Sequence, residues 1–226
     1  MMFRDRHHAG QVLAALLQRH SARGDAVVLA LPFGGVAVGS EVAHALHLPL
    51  DVLVARSLPV PGHPDLAMGA IAPGHVRVVD SDVVERFGID ADAMAGAEAS
   101  ALADLQRYEH AYHHGVPALP LSGKVVLLVD DGFASGPMLL AAIRALHQHQ
   151  PARIVLALPV DRPEIRRQVA DDVDEIVCAR RPAMFGGAAS WYADVGRTTE
   201  REVLDLLCLA REEMRPSWEA AQPGRS

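Results

Sequence analysis

The chain has 226 residues, which is enough for one α/β domain with a short appendage or for two small domains. Half of the residues are hydrophobic and 22% are charged, which excludes wholesale disorder. Lys+Arg 21 against Asp+Glu 28 gives a net charge of −7, which argues against a generic basic nucleic-acid surface.

In chain order, residues 5–20 read as a helix with Val12, Leu13, Leu16 and Leu17 on one face. Ala26–Leu31 reads as a buried strand, broken by Pro32-Phe33-Gly34-Gly35, and Val36–Leu46 as a helix. Leu50–Ala55 is a second strand, and 56–66 a loop carrying Pro59, Pro61, Gly62 and Pro64. Ala67–Ile71 and Val76–Val79 are short strand candidates. Asp90–His113 is one long alanine-rich amphipathic helix, stopped by Gly115 and Pro117.

Lys124–Asp130 is the strongest buried-strand signal, followed by a helix over Pro137–Gln148. Arg153–Val160 and Glu175–Ala179 are strands around a helix at Pro163–Ala170, and Thr199–Glu213 is the closing helix. From Arg215 the chain reads as a frayed tail. This alternation predicts an α/β fold: a mostly parallel sheet flanked by helices, with loops 32–35, 56–66 and 131–137 at strand carboxyl ends.

No charge-free stretch spans a bilayer. The longest, Ala26–Ser40, is 15 residues and is broken by Pro32 and Gly34-Gly35. No apolar signal region follows Arg4-Asp5-Arg6, and Cys178 and Cys208 form no motif, so a reducing, cytoplasmic setting is the expectation.

Chemistry concentrates in VVLLVDDGFASGPM, residues 125–138. An apolar strand ends in two carboxylates, Asp130 and Asp131. A small-residue turn follows, and a helix begins at Pro137. Backbone N–H groups at a helix N-terminus bind phosphate. Gly132, Ala134 and Gly136 let the backbone wrap an anion, and Ser135 adds a hydroxyl. Two acids beside such a pocket suit vicinal sugar hydroxyls, so the pattern predicts a sugar-phosphate ligand. Simple helix capping would need one acid rather than two. A receiver-type acidic pocket would need a lysine after a late strand, whereas Lys124 opens its strand.

The segment resembles the phosphoribosyl diphosphate-binding motif of type I phosphoribosyltransferases. The resemblance extends over residues 3–210, through FRDRHHAG, LALPFGGVAVGSEVA, DVLVARSLPVPGHPDLAMGAIA, VDDGFASG and SWYAD. It is to a bacterial group of these transferases with unassigned substrate. It implies one domain over 1–214, with a helical hood inserted at 81–115 and a disordered tail at 215–226.

It implies further that Asp130 and Asp131 hold the ribose hydroxyls and Mg²⁺, and that Gly132, Phe133, Ala134, Ser135, Gly136 and Pro137 hold the 5-phosphate. Gly34 and Gly35 would offer N–H groups to the diphosphate, and Arg56 would neutralise its charge. The implied reaction is transfer of the phosphoribosyl group to a small acceptor with release of diphosphate, by a homodimer. The alternative is a nucleotide or sugar-phosphate sensor.

The chain departs from the family pattern at Phe33 (usually Arg), Ser57 (usually Lys) and Pro137-Met138 (usually Ala-Thr). Arg77, Arg107 or Arg197 are candidates to make good the lost cations. Outside the motif, His110 with His113 or His114 could form a metal pair, but a solvated helix end is the simpler reading. His7 and His8 read as surface residues, and His63 either as surface or as reaching the site. Trp191, Tyr192 and Phe33 could stack on a ring or pack in the core. Met184–Gly187 reads as a mobile loop, and both cysteines as buried small hydrophobes.

Overall fold

Strands with no polar alternation need cover on both faces, and the fold supplies it. The computed structural model describes residues 2–182 and 187–219. The elements run α1 (Arg6–Leu16), β1 (Ala26–Ala30), α2 (Gly34–Leu46), β2 (Leu50–Val52), β3 (Arg56–Val60), β4 (His63–Ala72), β5 (Val76–Val79), α3 (Ser81–Phe87), α4 (Ala91–His113), β6 (Val125–Val129), α5 (Gly136–Gln148), β7 (Arg153–Val160), α6 (Pro163–Val169), β8 (Glu175–Arg180) and α7 (Glu200–Glu219).

β1 and β6 are buried at every position. They lie inside a five-stranded sheet of order β2-β1-β6-β7-β8, with all its pairings parallel. Alternate residues feed two cores. Val28 and Ala30 pack with Leu13, Val36 and Val42 of α1 and α2, and with Val203 and Leu207 of α7. Val27 and Leu29 pack with Leu139, Ile143 and Leu146 of α5, and with Ile165 and Val169 of α6. Each fully buried Val or Leu contributes about 1.5–3 kcal/mol relative to exposure, so the two cores fix the sheet that carries the site.

Residues 56–66 are not a loop. β3 pairs antiparallel with β4, and β4 with β5, in a separate three-stranded sheet. The prolines concealed it, because Pro59 has no ladder N–H and the register shifts on both sides of it. Gly62, with φ +79°, makes the turn. α2 begins at Gly34 rather than Val36, so both glycines lie in its first turn.

Asp90 caps α4 by accepting the Ala93 N–H at 2.8 Å. One stripe of α4, Ala101, Leu105, Tyr108 and Tyr112, is buried. α7 continues to Glu219 through Pro216, beyond the expected start of the tail. That proline removes one helical N–H without ending the helix. Residues 220–226 and most of the expected loop at 184–187 lie outside the described residues. No helix among the described residues is long and apolar enough to cross a membrane.

Candidate functional site

The registers place two strand ends together. Ala30 lies opposite Val129, and the Leu31 N–H donates to the Val129 carbonyl at 2.9 Å. The turn after β1 therefore meets the acids after β6. Gly34 is required there, because a Cβ would overlap both Asp131 Oδ2 and Arg6 Nε. A Cβ on Gly35 would lie 3.0 Å from the Val129 carbonyl oxygen. The peptide between Pro32 and Phe33 is cis.

Asp130 and Asp131 are both buried, at 4% and 5% exposure. Asp130 Oδ2 accepts the N–H groups of Gly132 (2.8 Å) and Ala134 (3.2 Å), and Asp131 Oδ1 accepts that of Phe133 (3.2 Å). Gly132 turns at φ +93°, a conformation open chiefly to glycine. Ser135 caps α5 by accepting the Met138 N–H at 3.3 Å, with Gly136 and Pro137 opening the helix. Burial, then the neighbouring Asp131 charge, pushes the Asp130 carboxyl well above the usual carboxylate range. The two loop N–H groups and Arg162 act against that shift.

Three residues that the motif alone does not indicate complete the frame. Arg6 Nε donates to Asp131 Oδ2 at 2.7 Å, with side-chain exposures of 14% and 7%. The Tyr192 hydroxyl donates to the Asp131 carbonyl at 2.7 Å. Arg162 donates to the Ala134 carbonyl from the turn after β7. Arg6 and Tyr192 stand in the FRDRHHAG and SWYAD stretches of the sequence, the signal that could have found them.

Arg56 opens β3 and is held by α4. Its guanidinium donates to Asp104 of α4 at 2.8 Å and lies 5.1 Å from the Tyr108 ring centroid. Arg107 lies 3.9 Å from the same centroid and bonds Glu200 at 2.9 Å. Phe33 packs edge-on against Tyr108 at 5.3 Å. Arg77 is committed to Glu98.

Two open readings resolve. Tyr192 takes the core alternative, at 3% exposure, and packs on Phe3. His63 takes the surface alternative: it is exposed and packs against Phe87. Two expectations change. His113 is not a solvated helix end. Its Nε2 lies 3.1 Å from Asp51 Oδ1, on a carboxylate only 4% exposed. Cys208 is exposed, whereas Cys178 is partly buried and burial raises its thiol to about 11.

Adjacent carboxylates are the hard oxygen donors that Mg²⁺ takes. Among the described residues, no three His, Cys, Asp or Glu side chains gather to hold a metal. A Mg²⁺ on Asp130 and Asp131 would therefore complete its shell with water and ligand oxygens, which is usual for this cation.

The phosphoribosyl transferase domain family matches residues 79–191, half of the chain. The chain belongs to that family. Two proteins from strains of Mycobacterium tuberculosis, carrying a provisional phosphoribosyl transferase name, are 41% identical over 206 residues. That alignment covers 91% of this chain and 46% of each relative, so the chain spans about half their length. The crystal structure of TT1426 from Thermus thermophilus superposes with a TM-score of 0.73 at 35% identity, covering 92% of this chain and 98% of that one. In this phosphoribosyl transferase domain, Asp130 and Asp131 thus meet Gly34 and Gly35, while Arg56 is turned to α4.

Proposed function

We propose that the chain binds phosphoribosyl diphosphate, or another ribose 5-phosphate compound, and transfers the phosphoribosyl group to a small acceptor. The observation that carries this reading is the placement of Asp130 and Asp131 between the α5 phosphate turn and the first turn of α2. Carboxylates accept the ribose hydroxyls, the 132–137 turn takes the 5-phosphate, and the α2 N-terminus faces the diphosphate. A nitrogen nucleophile bonds to C1 as the C1–O bond breaks. Diphosphate leaves with the electron pair, and the nitrogen gives up its proton to water or to the departing diphosphate. Bound Mg²⁺ would neutralise charge on the leaving diphosphate. The protein's own part is to position the reactants and to stabilise the cationic sugar with the buried acids. We take the domain to act as a dimer in the cytoplasm, with α3 and α4 as its hood.

A sensor without catalysis is favoured by one feature: Phe33 and Ser57 stand where the family pattern has two cations. Titration calorimetry with phosphoribosyl diphosphate and ribose 5-phosphate, with and without Mg²⁺, separates the readings. A transferase binds the diphosphate much more tightly, and only with Mg²⁺. Equal binding, or binding of the monophosphate alone, supports the sensor. No binding of either rejects both.

A further inference from the structure

Both oxygens of Asp131 are engaged by the protein itself: Oδ1 by the Phe133 N–H and Oδ2 by Arg6 Nε. A sugar diol reaching Oδ2 competes with a guanidinium in a shielded ion pair. Arg6 is the first residue of α1, whose N-cap Asp5 accepts the His8 N–H at 2.7 Å. Its Nη1 donates to the carbonyls of Val195 and Gly196, and its guanidinium lies 5.5 Å from the Phe133 ring centroid. The backbone at its root is therefore fixed, and the guanidinium borders Gly34.

We propose that Arg6 sorts ribose ligands by the group on C1. It holds Asp131 until a diol takes its place, and then serves as the cation for the diphosphate at Gly34-Gly35. This rests on the transferase reading of the same site. Arg56 and Arg107 leave this role open, being committed to Asp104, Glu200 and the Tyr108 ring. A diphosphate compound gives the displaced guanidinium a new anion. Ribose 5-phosphate carries its only phosphate at the other end, in the 132–137 turn, and leaves that cation uncompensated. The residue that opposes the monophosphate therefore favours the diphosphate.

The test is calorimetry with Mg²⁺ on the wild type and on Arg6→Gln. A hydrogen bond to a charged group corresponds to about ten- to a hundredfold in affinity. Arg6→Gln should therefore bind ribose 5-phosphate about tenfold more tightly and phosphoribosyl diphosphate at least tenfold more weakly. Shifts in the same direction, or none, overturn the role of Arg6. A wild type that binds neither ligand overturns the underlying reading instead.

If Arg6→Gln does not fold, the wild type still decides. Inorganic diphosphate should tighten ribose 5-phosphate binding, and the reverse by the same factor. Absence of that coupling overturns the proposal. Arg6→Lys, which keeps the charge without the fork, should discriminate to an intermediate degree.

Discussion

The Ser57 hydroxyl donates to Met138 Sδ at 3.6 Å. These are two of the positions where the resemblance implies other residues, and they touch across the gap between β3 and the first turn of α5. If the 132–137 turn takes the 5-phosphate as proposed, Met138→Thr should add a hydroxyl beside it and tighten ribose 5-phosphate and phosphoribosyl diphosphate alike, by about tenfold. Ser57→Lys should tighten the diphosphate compound alone. Because the residues are in contact, the double variant should depart from additivity by about 0.5 kcal/mol or more. Calorimetry on all four proteins reads the cycle, and strict additivity would dissolve the pair.

Tyr192 ties the C-terminal region to the site through one hydrogen bond, from its hydroxyl to the Asp131 carbonyl. Burial, with the charges of Asp131 and Asp130, holds that hydroxyl far above its ordinary range, so it stays a donor. Tyr192→Phe leaves a buried acceptor without its partner, at a cost of about 1–3 kcal/mol. The expected result is a lower denaturant midpoint and weaker ribose-phosphate binding. Binding unchanged in a destabilised protein would confine Tyr192 to the core.

The sheet was legible because β1 and β6 are unbroken apolar runs, a pattern that only two-sided burial explains. The acids and the turn were legible because they are contiguous in sequence. What escaped was long-range or masked by local chemistry. Arg6 meets Asp131 across 125 residues and Tyr192 meets it across 61, separations that no periodicity reports. The β3–β4 hairpin escaped because its prolines imitate a loop. Arg56 was placed in its segment, but Asp104 and Tyr108, from a helix 48 residues on, set its direction.

The buried charge of Asp130 should work against folding. Its folded carboxyl is raised by burial and by Asp131, so the favourable neutral form is fully present at acid pH. Its contribution is lost as pH rises through the elevated folded value. Asp130→Asn keeps an acceptor for Gly132 and Ala134 and removes the buried charge. It should raise Tm by a few degrees at about pH 8, each kcal/mol being worth about 2–4 °C at this size, and abolish ribose-phosphate binding. The gain should shrink toward about pH 4, where the wild-type carboxyl is itself neutral. A Tm difference independent of pH would refute the assignment.

The Asp51–His113 pair pins the end of α4 to β2 and should impose a pH window on stability. Asp51 accepts from His113 at 3.1 Å, from the Leu119 N–H at 3.0 Å and from the Val52 N–H at 3.0 Å, with Arg211 at 3.6 Å. Burial alone would push the Asp51 carboxyl up, but these hydrogen bonds and the His113 charge hold it below the usual range. The bond to Asp51 raises His113, against burial and the Arg211 charge. A raised histidine stabilises fully below its unfolded value of about 6.5, and the effect is lost as pH climbs through the folded value. A depressed carboxylate stabilises above about 3.9 and fails as pH falls through its folded value. The pair therefore contributes most between about pH 4 and 6.5. The stability lost in His113→Gln, measured by urea unfolding, should be largest near about pH 5–6 and decline toward about pH 8. An equal loss at every pH would make His113 a packing residue and nothing more.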